Sequence, residues 1–103
     1  MTVKFNDEYL RKLYADEPLK GKPFYSNEVV KKFQERILLL ELVENTKKLR
    51  EYKSLHFEAL SGNRKGLFSI RINKQYRLEF RIDNDNIQLE EIILIEELSK
   101  HYE

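Results

Sequence analysis

The sequence predicts an α+β fold: an N-terminal helical hairpin packed on a small antiparallel β-sheet. The first observation is the apolar spacing, which runs at three and four residues through the N-terminal half, as on one face of a helix. The second is a change of spacing to two after Gly62, the period of a half-buried strand. The third is that no Gly- or Ser-rich linker parts the halves, so residues 1–103 read as one domain.

Residues 2–5 suit a short edge strand. Asn6 or Asp7 then caps a first helix carrying Tyr9, Leu10, Leu13 and Tyr14, which Pro18 ends. The segment from Pro18 to Pro23 reads as an exposed turn. Ser26 caps the second and longest helix, whose stripe is Val29, Val30, Phe33, Ile37, Leu40 and Val43. Leu38, Leu39 and Leu42 widen that stripe, so packing on two sides is expected. Asn45 suits a left-handed C-terminal cap. Thr46 suits the cap of a short third helix with Leu49 and Tyr52, and helices joined by a short turn make a hairpin.

In the second half, Phe68, Ile70 and Ile72 alternate with Ser69, Arg71 and Asn73. Tyr76, Leu78, Phe80 and Ile82 alternate with Arg77, Glu79 and Arg81. Residues paired in an antiparallel ladder share a face, and a three-residue loop 73–75 satisfies this, setting Ile70 against Leu78, Phe68 against Phe80 and Arg71 against Arg77. A two-residue loop scrambles the faces. Residues 83–86 suit the next turn, and 87 to about 95 the last strand. Its unbroken Ile92–Ile95 predicts burial on both faces and a central place in the sheet.

Composition excludes several classes. The chain has no cysteine, so disulfides and thiolate chemistry are out, consistent with a reducing cytoplasm. Its longest apolar runs are four residues, far below the ~20 of a membrane span, and residues 1–8 do not read as a basic-then-apolar export signal. Two isolated histidines give no metal-ligand spacing, so neither metal nor cofactor is expected.

The net charge of +1 hides a strong asymmetry. Arg64, Lys65, Arg71, Lys74, Arg77 and Arg81 face only Glu79 within residues 61–82, a net of +5, whereas residues 83–103 carry −6. Such a basic segment fits phosphate binding, and equally a sheet face neutralised by neighbouring acids. Arg71 opposite Arg77 is destabilising unless something negative lies there, either an acid from elsewhere or a phosphate. Histidine suits proton transfer and arginine suits charge on phosphorus. Together, His56, His101 and the arginines suit metal-independent cleavage of a phosphodiester by its own 2′-hydroxyl.

The stretch Gly62-Asn63-Arg64-Lys65-Gly66-Leu67-Phe68-Ser69-Ile70-Arg71-Ile72-Asn73-Lys74-Gln75-Tyr76-Arg77-Leu78-Glu79-Phe80 resembles the HigB-like branch of the RelE/ParE toxin superfamily. Leu55-His56 and the closing His101-Tyr102 are similar to that family's helix-end histidine and C-terminal tyrosine. The resemblance implies the toxin of a type II toxin–antitoxin system, a ribosome-dependent endoribonuclease cutting mRNA in the A site. It implies a helix-turn-helix, HigA-like antitoxin as partner, besides the ribosome and mRNA. By position, Arg77 matches the family's phosphate-stabilising arginine, His56 its base or acid and Tyr102 its catalytic tyrosine, while Arg64, Lys65, Arg71, Lys74 and Arg81 stand as RNA contacts. Ser61 stands where many relatives have lysine, a charge that Lys65 or Arg64 can replace. His101 stands where they have an acid, and is a second candidate for proton transfer. The superfamily also holds non-enzymatic gyrase poisons of the ParE type, and the histidine–arginine–tyrosine set favours the nuclease.

Overall fold

The computed structural model describes residues 1–100; His101 and Tyr102, with their expected catalytic roles, lie outside the described residues, as does Glu103. Strand β1 is Thr2–Phe5, followed by α1 (Glu8–Ala15), α2 (Asn27–Leu42) and the four-residue α3 (Thr46–Leu49). Then come β2 (Glu58–Ala59), β3 (Phe68–Arg71), β4 (Tyr76–Asp85) and β5 (Glu90–Lys100), in a five-stranded sheet of order β1-β5-β4-β3-β2. Among the described residues, no helix is long and apolar enough to cross a membrane.

The caps behave as the chemistry of their side chains requires. Asp7 Oδ1 accepts from the Leu10 amide at 2.9 Å, and Ser26 Oγ from the Val29 amide at 3.3 Å. Asn45 departs from expectation. It is extended at φ −160° and accepts from the Lys48 amide at 2.8 Å as the N-cap of α3, while Val43 ends α2. Because α3 starts at once, the chain needs an extended residue there rather than a left-handed one. Thr46 lies inside α3, its amide and hydroxyl both donating to the Glu91 carboxylate at 2.8 and 2.7 Å.

The core is the stripe Val29, Phe33, Ile37 and Leu40 of α2 against Ile70, Leu78, Phe80, Ile93 and Ile95 of the sheet, all buried. Of the residues expected to give α2 a second packing side, Leu39 packs against the core, whereas Leu38 is 50% and Leu42 74% exposed. Helix α1 joins α2 through Gln34, whose Nε2 donates to Leu13 O and Asp16 Oδ1 at 2.9 Å each.

The β3–β4 register matches expectation pair for pair, including Arg71 opposite Arg77. Three features of the sheet differ. The β1–β5 pair is parallel, Thr2 opposite Ile92 and Phe5 opposite Ile95, the two strands being joined by a long connection through the helices and β2–β4 rather than by a hairpin. The β4–β5 turn moves to residues 86–89, because the ladder runs on through Asn84–Glu91 and Asp85–Glu90 and overrides the turn preference of Asp and Asn. Strand β5 also continues past Ile95, to Lys100 opposite Tyr76. A bulge hides this continuation from the period: Glu79 pairs Glu97 but Phe80 pairs Ile95, so Glu96 is supernumerary and core-facing Ile95 and Leu98 stand three apart. Within β5, Ile93 and Ile95 are fully buried and Ile92 and Leu94 half-buried, in a strand flanked by β1 and β4.

One contact between helices gives a pH test. The Tyr14 hydroxyl donates to Glu41 Oε1. This bond, followed by partial burial and the Glu41 charge, pushes the phenol up to about 12. An unfolded tyrosine ionises near ~10, so between these values the folded state keeps a proton the unfolded state has lost. Stability from this bond is therefore complete below pH ~10 and lost as pH rises towards 12. Phenolate absorbance should show a late-ionising tyrosine that Tyr14→Phe removes; a variant titrating like the parent would refute the assignment.

Candidate functional site

The helices cover one face of the sheet, and alternation sends Ser69, Arg77, Glu79 and Ser99 to the other. There they line a cleft of about 180 Å³ together with Glu58, Leu60, Arg64 and Lys100. The register builds it. Glu58 pairs Ser69, Ser69 pairs Glu79 and Glu79 pairs Glu97, making one row across four strands, while Arg71, Arg77 and Ser99 make the next.

Arg77 is the floor of the cleft. It is only 7% exposed, against the solvated polar face that its alternation with apolar residues suggests. Its Nε donates to Ser69 Oγ at 2.9 Å and its Nη2 to the His56 carbonyl at 2.6 Å, with Glu58 Oε2 3.7 Å from Nη2. Burial lowers its pKa from the ordinary arginine value, Glu58 opposing and Arg71 adding to the shift. Two of its three guanidinium nitrogens are thus anchored, and Nη1 makes no hydrogen bond among the described residues.

The other predicted residues divide. Arg64 reaches the cleft, where Nη2 binds the buried Glu79 carboxylate and lies 3.1 Å from Glu97 Oε2. The acids of the sheet therefore answer part of the basic segment, as one of the two readings of its charge allowed. Arg81 likewise sits 3.5 Å from Glu96 and does not line the cleft. Gly66 lies over it: a Cβ there would stand 3.0 Å from Arg81 Nη1, and φ is +92°, so only glycine fits. Lys65 is exposed and does not line the cleft. Lys74 lies at the hairpin turn, against the start of α2 with Ser26 and Glu28, away from the cleft. Arg71 is half-buried opposite Arg77, its carbonyl accepting from Arg36 Nε at 3.1 Å.

His56 contributes its backbone. It ends a 3₁₀ turn (Lys53–Leu55) in left-handed conformation at φ 48°, which aims its carbonyl at Arg77, and its exposed side chain is not part of the cleft lining. His101 and Tyr102 follow in the chain directly from the cleft-lining Lys100. Sequence reasoning missed Glu58, Ser69, Ser99 and Lys100 as cleft residues. Ser69 was legible from the hairpin register, which puts it on the face of Arg77; the others depend on strands β2 and late β5, whose extents the local pattern conceals.

Comparison with known proteins agrees with this architecture. A family model described as the RelE-like toxin of the type II toxin–antitoxin system HigB matches residues 3–92. Toxin HigB-1 of Vibrio cholerae serotype O1 is 33% identical over 81 residues, 79% of this chain and 83% of that protein. An uncharacterized protein of Haemophilus influenzae is 29% identical over 83 residues, covering 81% of this chain and 80% of that protein. Among solved structures, a YoeB/ParE toxin from Agrobacterium tumefaciens superposes with a TM-score of 0.57 over 99% of this chain and all of its own, at 14% identity. The YoeB dimer from Staphylococcus aureus gives 0.52 over 99% of this chain and 98% of that one, at 21% identity.

Proposed function

The chain belongs to the HigB-like family of RelE-like toxins, the toxin side of type II toxin–antitoxin systems, and on that premise we propose that it is an endoribonuclease that cuts mRNA in the ribosomal A site. The observation that carries this reading is a desolvated, pre-anchored arginine on the floor of a cleft that is close to neutral overall. Among the described lining residues, Arg64, Arg77 and Lys100 face Glu58 and Glu79, an excess of one positive charge. RNA affinity without sequence readout scales with the phosphates neutralised, so this cleft by itself holds free RNA weakly. A second body must present the strand, which is what the ribosome supplies. Once a phosphodiester is seated, a guanidinium shielded from water stabilises charge on phosphorus far better than a solvated one.

The reaction follows from those groups. The 2′-hydroxyl attacks the adjacent phosphorus while a base takes its proton. The bond from phosphorus to the 5′-oxygen breaks, and an acid protonates that oxygen, leaving a cyclic phosphate and a 5′-hydroxyl. Arg77 holds the phosphate oxygens. Two groups stand for the base: His56 by resemblance and Glu58 by geometry, since its carboxylate lines the cleft beside Arg77. Tyr102 stacks on or orients the nucleobase beside the scissile phosphate, with His101 a second proton-transfer group. A helix-turn-helix antitoxin binds and silences the toxin.

Purified toxin should cleave mRNA on programmed ribosomes and leave the same RNA intact when free; equal cleavage of both, or gyrase inhibition without cleavage, would overturn the reading. Substitution separates the bases. With Glu58 as base, Glu58→Gln lowers cleavage by about 10²–10⁴-fold and His56→Ala far less. The reverse ranking restores the histidine.

A further inference from the structure

We propose that a second hollow, between α1, the 16–26 connection and β5, is a binding site for the guanidinium of an arginine presented by a protein partner. It encloses about 220 Å³ and is lined by Asp7, Tyr9, Phe24, Tyr25, Glu97 and Leu98 among others. Three of these are aromatic: Tyr25 is steeply inclined to the other two, and Tyr9 and Phe24 lie at 33° to each other. The Phe24 and Tyr25 rings stand at 89° with centroids 6.5 Å apart, Tyr9 and Tyr25 at 59° and 6.3 Å, and Tyr9 and Phe24 at 4.7 Å. Tyr9 is pinned by the Phe24 amide, which donates to its hydroxyl at 3.2 Å, and Tyr25 by its own hydroxyl, which donates to Leu98 O at 3.0 Å. The walls are therefore fixed by the fold, and Phe24 is held 73% exposed.

The charge lining this space is negative. Asp7 and Glu97 contribute carboxylates, and among the described residues no lysine or arginine lines the hollow. Asp7 Oδ1 is used by the α1 cap and Glu97 Oε2 by Arg64, leaving Asp7 Oδ2 and Glu97 Oε1 without hydrogen bonds among the described residues. Burial of Tyr25, with the nearby phenols and these two carboxylates, raises its pKa above the ordinary tyrosine range. Aromatic faces beside carboxylates recognise cations, and a planar guanidinium can stack on a ring while its N–H fork meets the acids. RNA is excluded by the same charge. The occupant is accordingly a basic protein segment, and the site lies outside the Arg77 cleft, so this inference stands independently of the nuclease reading.

The test is an NMR titration of the whole chain with the peptide acetyl-Gly-Arg-Gly-amide, with its neutral citrulline counterpart, and with spermidine. The arginine peptide should shift the Tyr9, Phe24 and Tyr25 ring resonances, and the citrulline peptide should not. Phe24→Ala, which leaves the core untouched, should weaken binding about three- to five-fold, as expected for an exposed cation–π contact. Glu97→Gln and Asp7→Asn, which keep shape and the helix cap, should each weaken it comparably. Equal shifts by the citrulline peptide, shifts confined to the Arg77 cleft, or tighter binding of spermidine than of the arginine peptide would each overturn the proposal.

Discussion

Replacing Arg77 with alanine is expected to lower ribosomal mRNA cleavage by about 10²–10³-fold, the usual loss when one donor to a developing oxyanion is removed. The same change also touches the fold. Arg77 is buried, and its removal leaves Ser69 Oγ and the His56 carbonyl without their partner, a loss of about 1–3 kcal/mol. Cleavage must therefore be measured per folded molecule, with a thermal melt of the same sample. Arg77→Lys separates the roles further, since a point charge returns attraction to phosphate but cannot bond Ser69 and His56 while also facing substrate. It should recover part of the rate. Undiminished cleavage by folded Arg77→Ala would remove Arg77 from the catalytic site.

Phe80→Ala should produce the largest loss of stability, about 3–5 kcal/mol. Phe80 is fully buried on β4, the strand that also bears Arg77 and Glu79, and its ring meets Phe57 and Phe68 with centroids 6.0 and 6.3 Å away. A domain of this size has only ~5–15 kcal/mol in total, so the melting temperature should fall by at least about 12 °C. Leu42→Ala, at a leucine 74% exposed on α2, should change stability by no more than about 0.5 kcal/mol. Paired urea titrations check both. Similar losses in the two variants would mean that the face of α2 bearing Leu42 is packed and that the core lies elsewhere.

These expectations draw unequally on the sequence. The β3–β4 hairpin was legible pair for pair, because a short loop and strict alternation leave one register that keeps Ile70, Leu78, Phe68 and Phe80 on one face. The N-cap Ser26 was legible, and the first cap was narrowed to Asn6 or Asp7, because a short polar side chain before an apolar stripe favours capping; the fold chose Asp7. Strand β5 was legible only to Ile95, where the bulge at Glu96 shifts the alternation by one residue. Lys100 and Ser99 consequently went unseen as cleft residues.

The sequence by itself determined that Arg77 and Arg71 share a face, that this face lies opposite the core, and that something negative must sit against it. Each of these follows from the two-residue period of a strand and the length of one loop, interactions between residues close in the chain. Only the tertiary structure decided what the negative group is. Glu58 arrives from β2, Glu97 from β5, and Arg64 folds back over Glu79 from a 3₁₀ turn (Gly62–Arg64). It also decided that β1 adds in parallel and that Arg77 is buried under the His56 carbonyl. Such contacts join segments whose local patterns are independent of each other. Side chains brought together by packing leave no period in the chain, so their pairing and desolvation are properties of the folded sheet alone.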